Sequence, residues 1–393
     1  MDRRTQRYVA GRFRDHYRRV SVAHPPAADR REWAYIPWSR REQTTMIRHR
    51  ALQDLGTLQA FLRDEFPRHV YYSAGRYEDP GAGVMGAKGW QGADLVFDLD
   101  ADHLPGVGAD DDYRSMLQAC KEELRALLDL LERDFGFEDL DVIFSGGRGY
   151  HVHVRTESVR PLDRRARRDI ADYIQGQGVT LDRIVNTEAV VGVGRETPAQ
   201  RRSIDPERGW SRRIHHELMQ EVDALTDMAT DDALERLREI DGIGEGRATA
   251  ILSAIENSYE QIAAGNVDVH PAFLTFVDWT IERATRRQGA AIDEPVTTDV
   301  NRLIRLPGSL HGGSGLVARR IKSGTLDLFE PLEHAIPETF RGQDITIDVT
   351  EPAHVTMGNI DREYDPGIVR LPEYAGMHLL LSGEAKKVRE TRR

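Results

Sequence analysis

Asp98 and Asp100 stand two apart in the run LVFDLDAD. Apolar residues lead into them, so the run reads as a core strand that ends on acids. Side chains alternate faces along a strand. Both carboxylates therefore fall on one side, with Leu95, Phe97 and Leu99 on the other. Neighbouring carboxylates repel each other and are costly to bury. A divalent cation relieves both costs, and hard oxygen ligands select Mg2+ or Mn2+. The competing reading is a strand end whose acids face water, and the DxD pattern alone leaves both open. Paired metals roughly 3.5–4 Å apart serve nucleotidyl transfer, which usually takes a third carboxylate. The segment AAIDEPVTTDVNRL offers Asp293, Glu294 and Asp299, and spacing does not choose among them.

A second group suits phosphate. SGGRGYHVHV sets Ser145, Gly146, Gly147 and Gly149 between two β-like runs. Glycines let a backbone approach a ligand closely, and successive N–H groups in such a turn form an anion nest. Ser145 adds a hydroxyl, Arg148 a charged fork. His151 and His153 share a strand face. An ordinary hairpin with two solvated histidines is the plainer alternative. RLIRLPGSLHGGSG brings Arg302, Arg305 and His311 around another strand and turn, a second wall for a triphosphate pocket. The HxH pair lacks a nearby third ligand, so zinc is not expected there.

The elements that position these residues follow from periodicity. Residues 1–70 read as mainly helical, with Leu52, Leu55, Leu58, Leu62 and Phe66 at helical spacing from Thr45 to Phe66. REWAYIPW interrupts them as a short strand. HVYYSAGRYEDPGAG reads as strand and loop, GADLVFDLDAD as strand, and Tyr113–Phe135 as an amphipathic helix. DLDVIFSGGRGYHVHV reads as strand, glycine turn, strand. From about Arg160 the pattern turns helical and polar, broken by the coil VGVGRETPAQRRSIDPERGW. It returns to β type at VTTDVNRLIRLPGSLHGGSGLVARRI, and the last fifty residues mix strands with a helix. The expected fold is α/β: a mixed-sheet catalytic core, residues 1–159 and 288–393, interrupted by a helical insertion, residues 160–287.

Composition bounds the function. The 393 residues carry a net charge of −11, and only five of the 54 basic residues are lysines. An acidic, lysine-poor surface suits work at high salt. Net charge alone does not exclude nucleic acid, because phosphate binding depends on local patches. Cys120 is the single cysteine, which excludes an internal disulfide. No apolar run reaches the ~20 residues of a spanning helix, and MDRRTQRYVAGRFRDHY lacks a signal's apolar core. A cytoplasmic protein without a membrane partner is expected.

KGWQGADLVFDLDADH, FSGGRGYHVHV and DEPVTTDVNRLIRLPGSLHGGSGL, in that order, resemble the archaeal and eukaryotic primase small subunit. The resemblance runs from REWAYIPW to at least Ala318. It implies a DNA primase that makes short primers on single-stranded DNA from nucleoside triphosphates, with polymerase activity also expected. It also implies a heterodimer with a large subunit. Asp98 and Asp100 match the family's paired metal-binding aspartates. Counted back from SLH, Asp293 matches the third, with Asp299 in reserve. Ser145, Arg148 and His151 match its phosphate motif. Arg305 and His311 match the third motif, and Arg48 resembles an N-terminal arginine that reaches the nucleotide. Many relatives carry a Cys/His zinc knob after the DxD strand. Here only His103 and Cys120 remain, so zinc is not expected.

Within the helical stretch, LREIDGIGEGRATAIL resembles a helix-hairpin-helix over residues 234–254. In such a motif Gly242 and Gly244 shape a turn whose N–H groups grip a DNA phosphate, with Arg247 in support. A plain αα-hairpin is the alternative. Two other functions fit the same residues: a repair or end-joining polymerase of the same superfamily, and a catalytically inactive DNA-binding subunit.

Overall fold

The computed structural model describes residues 1–38, 45–108, 111–190, 199–322 and 324–389. The chain divides into two units. The first comprises Met1–Arg125, Glu138–Ala171 and Ala291–Arg393; the second comprises Ala126–Phe137 and Asp172–Ala290.

In chain order the first part holds α1 (Arg3–Arg19), β1 (Trp33–Ile36), β2 (Ile47–Arg50), α2 (Leu58–Glu65), β3 (His69–Ser73), β4 (Gly75–Tyr77), β5 (Trp90–Ala93) and β6 (Leu95–Asp100). Next come α3 (Tyr113–Arg133), β7 (Leu140–Phe144), β8 (Gly149–Val154) and α4 (Arg164–Ile174). The second unit then continues with α5 (Leu181–Ile184), β9 (Val185–Val190), β10 (Ala199–Ile204), α6 (Gly209–Asp227), α7 (Thr230–Arg238), α8 (Glu245–Ala263) and α9 (Pro271–Gln288). The chain returns to the first unit through α10 (Glu294–Thr298), β11 (Leu303–Arg305), β12 (Arg319–Ile321) and α11 (Pro331–His334). It ends with β13 (Asp344–Val349), β14 (Ala353–Met357), β15 (Ile360–Tyr364), β16 (Gly367–Pro372), α12 (Glu373–Ser382) and β17 (Ala385–Lys387).

Two four-stranded antiparallel sheets, ordered β11-β3-β1-β2 and β12-β7-β8-β6, form the heart of the first unit. This is the expected mixed α/β class. The second sheet follows from the sequence pattern. Leu95, Phe97 and Leu99 are fully buried, while Asp98 and Asp100 keep partial access to solvent. β8 pairs with both β6 and β7, so the glycine turn that opens β8 lies across from the acids that close β6. Val96 joins Ala74, Val296 and Ile304 in a buried cluster, which draws α10 and β11 against β6. The buried Asp94, just before β6, accepts from Arg31 at 2.6 Å, Arg76 at 3.0 Å and Arg155 at 3.2 Å. Removing one partner from such a buried set strands the remaining charges, so the set fixes where β6 starts.

Three segments differ from the sequence pattern. The leucine spacing of 45–66 does not make one helix. Ile47–Arg50 pairs with β1, Leu52–Leu55 is a 3₁₀ turn, and only α2 is α-helical. Gly56 has φ of +71°, and Thr57 caps α2 by accepting from the N–H of Ala60, which separates the turn from the helix. The expected coil after residue 190 includes a strand, β10, which pairs with β9 along its length; residues 191–198 lie outside the described set. The start of the expected β stretch, VTT, belongs to α10, which opens with Pro295 in its first turn.

Candidate active site

The site begins with the pairing of β6 and β8. Asp98 sits opposite His151 and Asp100 opposite Gly149. That last contact explains one glycine. A Cβ on Gly149 would stand 1.7 Å from the carbonyl oxygen of Leu99. The turn before it is held from several sides. Gly146 has φ of +78°, the N–H of Ser145 donates to Gly149, and the Tyr113 hydroxyl donates to the Gly147 carbonyl at 2.6 Å. Asp98, Asp100, Ser145, Arg148, His151, Arg305 and His311 all line one cavity of about 290 Å3.

Asp293 arrives from far along the chain. Its N–H donates to the carbonyl of Asp98 at 2.9 Å, and it caps the start of α10. It is not part of the cavity wall. Its charge is felt nonetheless. Burial raises the Asp98 carboxyl to about 7, and the charges of Asp100 and Asp293 add to that rise. Arg302 and His103 oppose it. Asp299 follows α10 and accepts from the N–H of Asn301. Among the described residues no three His, Cys, Asp or Glu side chains are gathered so that they could hold a metal ion as they stand. The acids crowd one another electrostatically without converging on a point. Their chemistry fits a divalent cation: hard oxygen donors, two of them on one strand face, where burial, with the neighbouring negative charges adding to it, lifts one carboxyl toward neutrality.

The other wall is a set of neutral histidines and arginines. His311 takes hydrogen bonds at Nδ1 from the N–H groups of Ser314 at 3.1 Å and Gly313 at 3.3 Å. Its proton is therefore assigned to Nε2, the nitrogen that lies against Gly147. Burial, with Arg305 nearby, holds its pKa well below the usual range, so it is a neutral donor. Arg305 pairs across β11 and β3 with Tyr71 and stacks on its ring at 5.1 Å, with one nitrogen 2.6 Å from Nδ1 of His69. His151 lies 3.4 Å from Asp98, and burial lowers its pKa to about 4. His153, two residues on, is buried against Tyr72 and is not in the cavity wall. Arg148 is half exposed and bridges to Asp102 at 2.6 Å.

One expected residue stands elsewhere. Arg48 lies on β2, donates to the buried Glu32 at 3.1 Å, and does not line the cavity. Arg302, read from the sequence with Arg305 and His311 as a second phosphate wall, does line it, as do Tyr71 and Asp102, which the sequence does not single out. Asp102 had a signal, its place two residues after Asp100, but an acid there reads equally as a loop residue. Tyr71 had none beyond β propensity. Cys120 is buried and its thiol donates to the carbonyl of Arg148. In the second unit, Gly242 has φ of +81°, Gly244 caps α8, and Arg247 donates to the Gly242 carbonyl at 2.7 Å. No helix among the described residues is long and apolar enough to cross a membrane.

Comparison with known proteins agrees with this geometry. The family model for the DNA primase small subunit matches residues 97–323, which takes in Asp98 and Asp100 on β6, Asp293 at the start of α10 and both phosphate walls. A DNA primase small subunit of Haloarcula marismortui is 53% identical over 392 residues, covering 99% of this chain and 100% of that protein. One from Halobacterium salinarum is 50% identical over 391 residues, at 99% and 100% coverage. One from Methanothrix thermoacetophila is 38% identical over 400 residues, at 98% and 100% coverage. This chain belongs to the DNA primase small subunit family, a family of primer-synthesising nucleotidyltransferases.

Proposed function

We propose that the chain is the catalytic subunit that synthesises primers on single-stranded DNA, by nucleotidyl transfer dependent on two Mg2+ or Mn2+ ions. Asp98, Asp100 and Asp293 would hold the cations. The observation that carries this is the 2.9 Å hydrogen bond from Asp293 to Asp98, which sets a distant acid beside the DxD pair next to a phosphate-type cavity. Bound there, the cations supply charge that activates the attacking 3′-oxygen and neutralises the leaving pyrophosphate. The chain's own residues do the rest by positioning and charge. His311 donates from Nε2 to a phosphate oxygen without titrating near neutral pH. Arg305, stacked on Tyr71, presents a preorganised fork. The Ser145 hydroxyl, which accepts from the Gly147 N–H and keeps its own proton to donate, faces the triphosphate from the 145–148 turn. Arg148 exchanges Asp102 for phosphate. His151, neutral and in the cavity wall beside Asp98, offers its imidazole to a phosphate, the role the resemblance implies.

A cytoplasmic setting is part of the same proposal, as is a heterodimer with a larger subunit, which the resemblance implies. The test is synthesis on unprimed single-stranded DNA with ribonucleotides and with deoxyribonucleotides, with and without divalent metal. De novo dinucleotides that require metal support the reading. Extension of preformed ends without de novo products points to a repair polymerase of the same superfamily. DNA binding without any incorporation points to an inactive subunit. Asp98→Ala and Asp100→Ala are each expected to abolish incorporation in a chain that still folds. Residual synthesis in both variants argues against the assignment of the acids.

A further inference from the structure

The segment RPLDRRARR, residues 160–168, holds five arginines and one acid in a chain of net charge −11. Its last five residues open α4, whose first turn contains no acid. Asp163 precedes the helix and accepts from the N–H of Ala166 at 2.9 Å. Three of the arginines are spoken for. Arg160 donates to the carbonyl of Arg155 at 2.9 Å and lies 3.5 Å from Glu157. Arg167 is buried and donates to the carbonyls of Ala93 and Asp94, which pins α4 to the start of β6. Arg168 bridges to Glu294 at 2.9 Å. Arg164 and Arg165 are exposed, and among the described residues neither has a carboxylate within ion-pair reach.

This charge order does not serve the helix. A helix N-terminus is already partly positive, so cations there are unfavourable. The acids of α4, Asp169 and Asp172, come after the arginines, the less favourable order for pairs four apart. A polyanion would turn that cost into attraction. The direction in which it would run is also set. Arg168 touches Glu294, Glu294 follows Asp293, and Asp293 hydrogen-bonds Asp98.

We propose that Arg164 and Arg165 hold the phosphate backbone of the nucleic acid whose 3′ end reaches the acids. This rests on the function proposed above and adds the surface along which template and primer leave the site. Arginine suits the task, because its planar fork engages a phosphate bidentately and does not depend on long-range charge alone.

The experiment uses the full chain with Arg164→Glu/Arg165→Glu and the milder Arg164→Gln/Arg165→Gln. Binding of labelled single-stranded DNA and of a labelled primer–template is followed by fluorescence anisotropy over a range of salt. Binding of a fluorescent nucleoside triphosphate is the control. DNA affinity should fall at least about tenfold in the Glu pair, and the slope of log K against log salt should shrink by about 2, one per lost phosphate contact. Triphosphate affinity should stay unchanged. The melting temperature of the Glu pair should not fall, since acids suit a first turn. Unaltered DNA affinity and slope in both pairs overturn the proposal. So does unaltered DNA binding with lost capture of the purified large subunit, which would make the patch a protein interface. The function itself fails separately. A wild-type chain that binds DNA through these arginines but incorporates no nucleotide keeps the surface and loses the primase reading.

Discussion

At the scale of single residues, the site is a place where ionisation was given up for geometry. Asp98 is the sharpest case. An aspartate normally ionises near 3.8, and here burial, reinforced by Asp100 and Asp293, pushes it up to about 7. The sign of the stability effect follows. Below about pH 4 the carboxyl is protonated in both folded and unfolded chains and contributes nothing. Between about 4 and 7 the unfolded chain loses its proton first, so stability falls as pH rises. Above about 7 the loss is complete, at most about 4 kcal/mol. In metal-free buffer, Asp98→Asn should therefore melt higher than the wild type at pH 8 and together with it at pH 4. Added Mg2+ or Mn2+ should raise the wild-type melting temperature at pH 8 and leave that of Asp98→Asn nearly unmoved, because a ligand stabilises only the state that binds it. Equal melting of the two proteins at pH 8 without metal would remove the argument that these acids wait for a cation. His311 and His151 show the same economy with opposite sign. Their burial keeps them uncharged, so neither competes with substrate for the arginines' counter-charge.

At the scale of elements, the local motifs were legible and their meeting was only partly so. The alternation of LVFDLDAD and the glycines of SGGRGYHVHV encode strand, turn and strand within a few residues, because those constraints are local. Nothing local says that Asp98 faces His151 across one ladder, or that Val296 buries against Val96 and so delivers Asp293. Arg48 is a short local match, and nothing local says that its strand sets it against Glu32 and outside the cavity wall. The 45–66 stretch was misread because leucines three apart fit a 3₁₀ turn followed by a helix as well as one long helix. Gly149 is the element-scale test. A methyl group there has no room against the Leu99 carbonyl, so Gly149→Ala must part β6 from β8. A loss of about 1–3 kcal/mol is expected from such overpacking, read by denaturant unfolding, together with loss of nucleotide binding. Wild-type stability in Gly149→Ala would mean that the ladder is looser than described. The α7–α8 turn permits a contrasting test. Gly244 has open space around it, so Gly244→Glu should fold normally. It is expected to weaken DNA binding while sparing nucleotide binding. The exposed acids Glu239, Asp241 and Glu245 already crowd that turn, so the loss should be smaller than for Arg164→Glu/Arg165→Glu. A larger loss would shift the principal backbone contact to the helical unit.

At the scale of the whole molecule, an acidic chain with five lysines among 54 basic residues has the composition expected of a protein working in concentrated salt, and that expectation has consequences for the site. The net charge of −11 repels itself, which destabilises the folded chain at low ionic strength. Salt near 1 M shortens the screening distance to about 3 Å and removes most of that repulsion. It removes little of the attraction that matters, because the strongest pairs are dry. Arg31–Asp94 is fully buried, and Arg12 meets a buried Glu373 at 2.6 Å. Exposed pairs such as Arg63–Asp64 contribute little at any salt. The melting temperature should therefore rise steadily from dilute buffer to molar KCl. DNA affinity should fall over the same range, since counterion release opposes every phosphate contact. The two trends cross, and activity should peak at a salt concentration set by both. Arginine in place of lysine moves that peak upward, because a bidentate hydrogen-bonded fork survives screening better than a point charge does. Arg164→Lys/Arg165→Lys should accordingly match the wild type for DNA binding in dilute buffer and fall behind it as KCl approaches 1 M. Melting that falls with KCl, or precipitation in molar salt, would show that the acidic surface serves some other end.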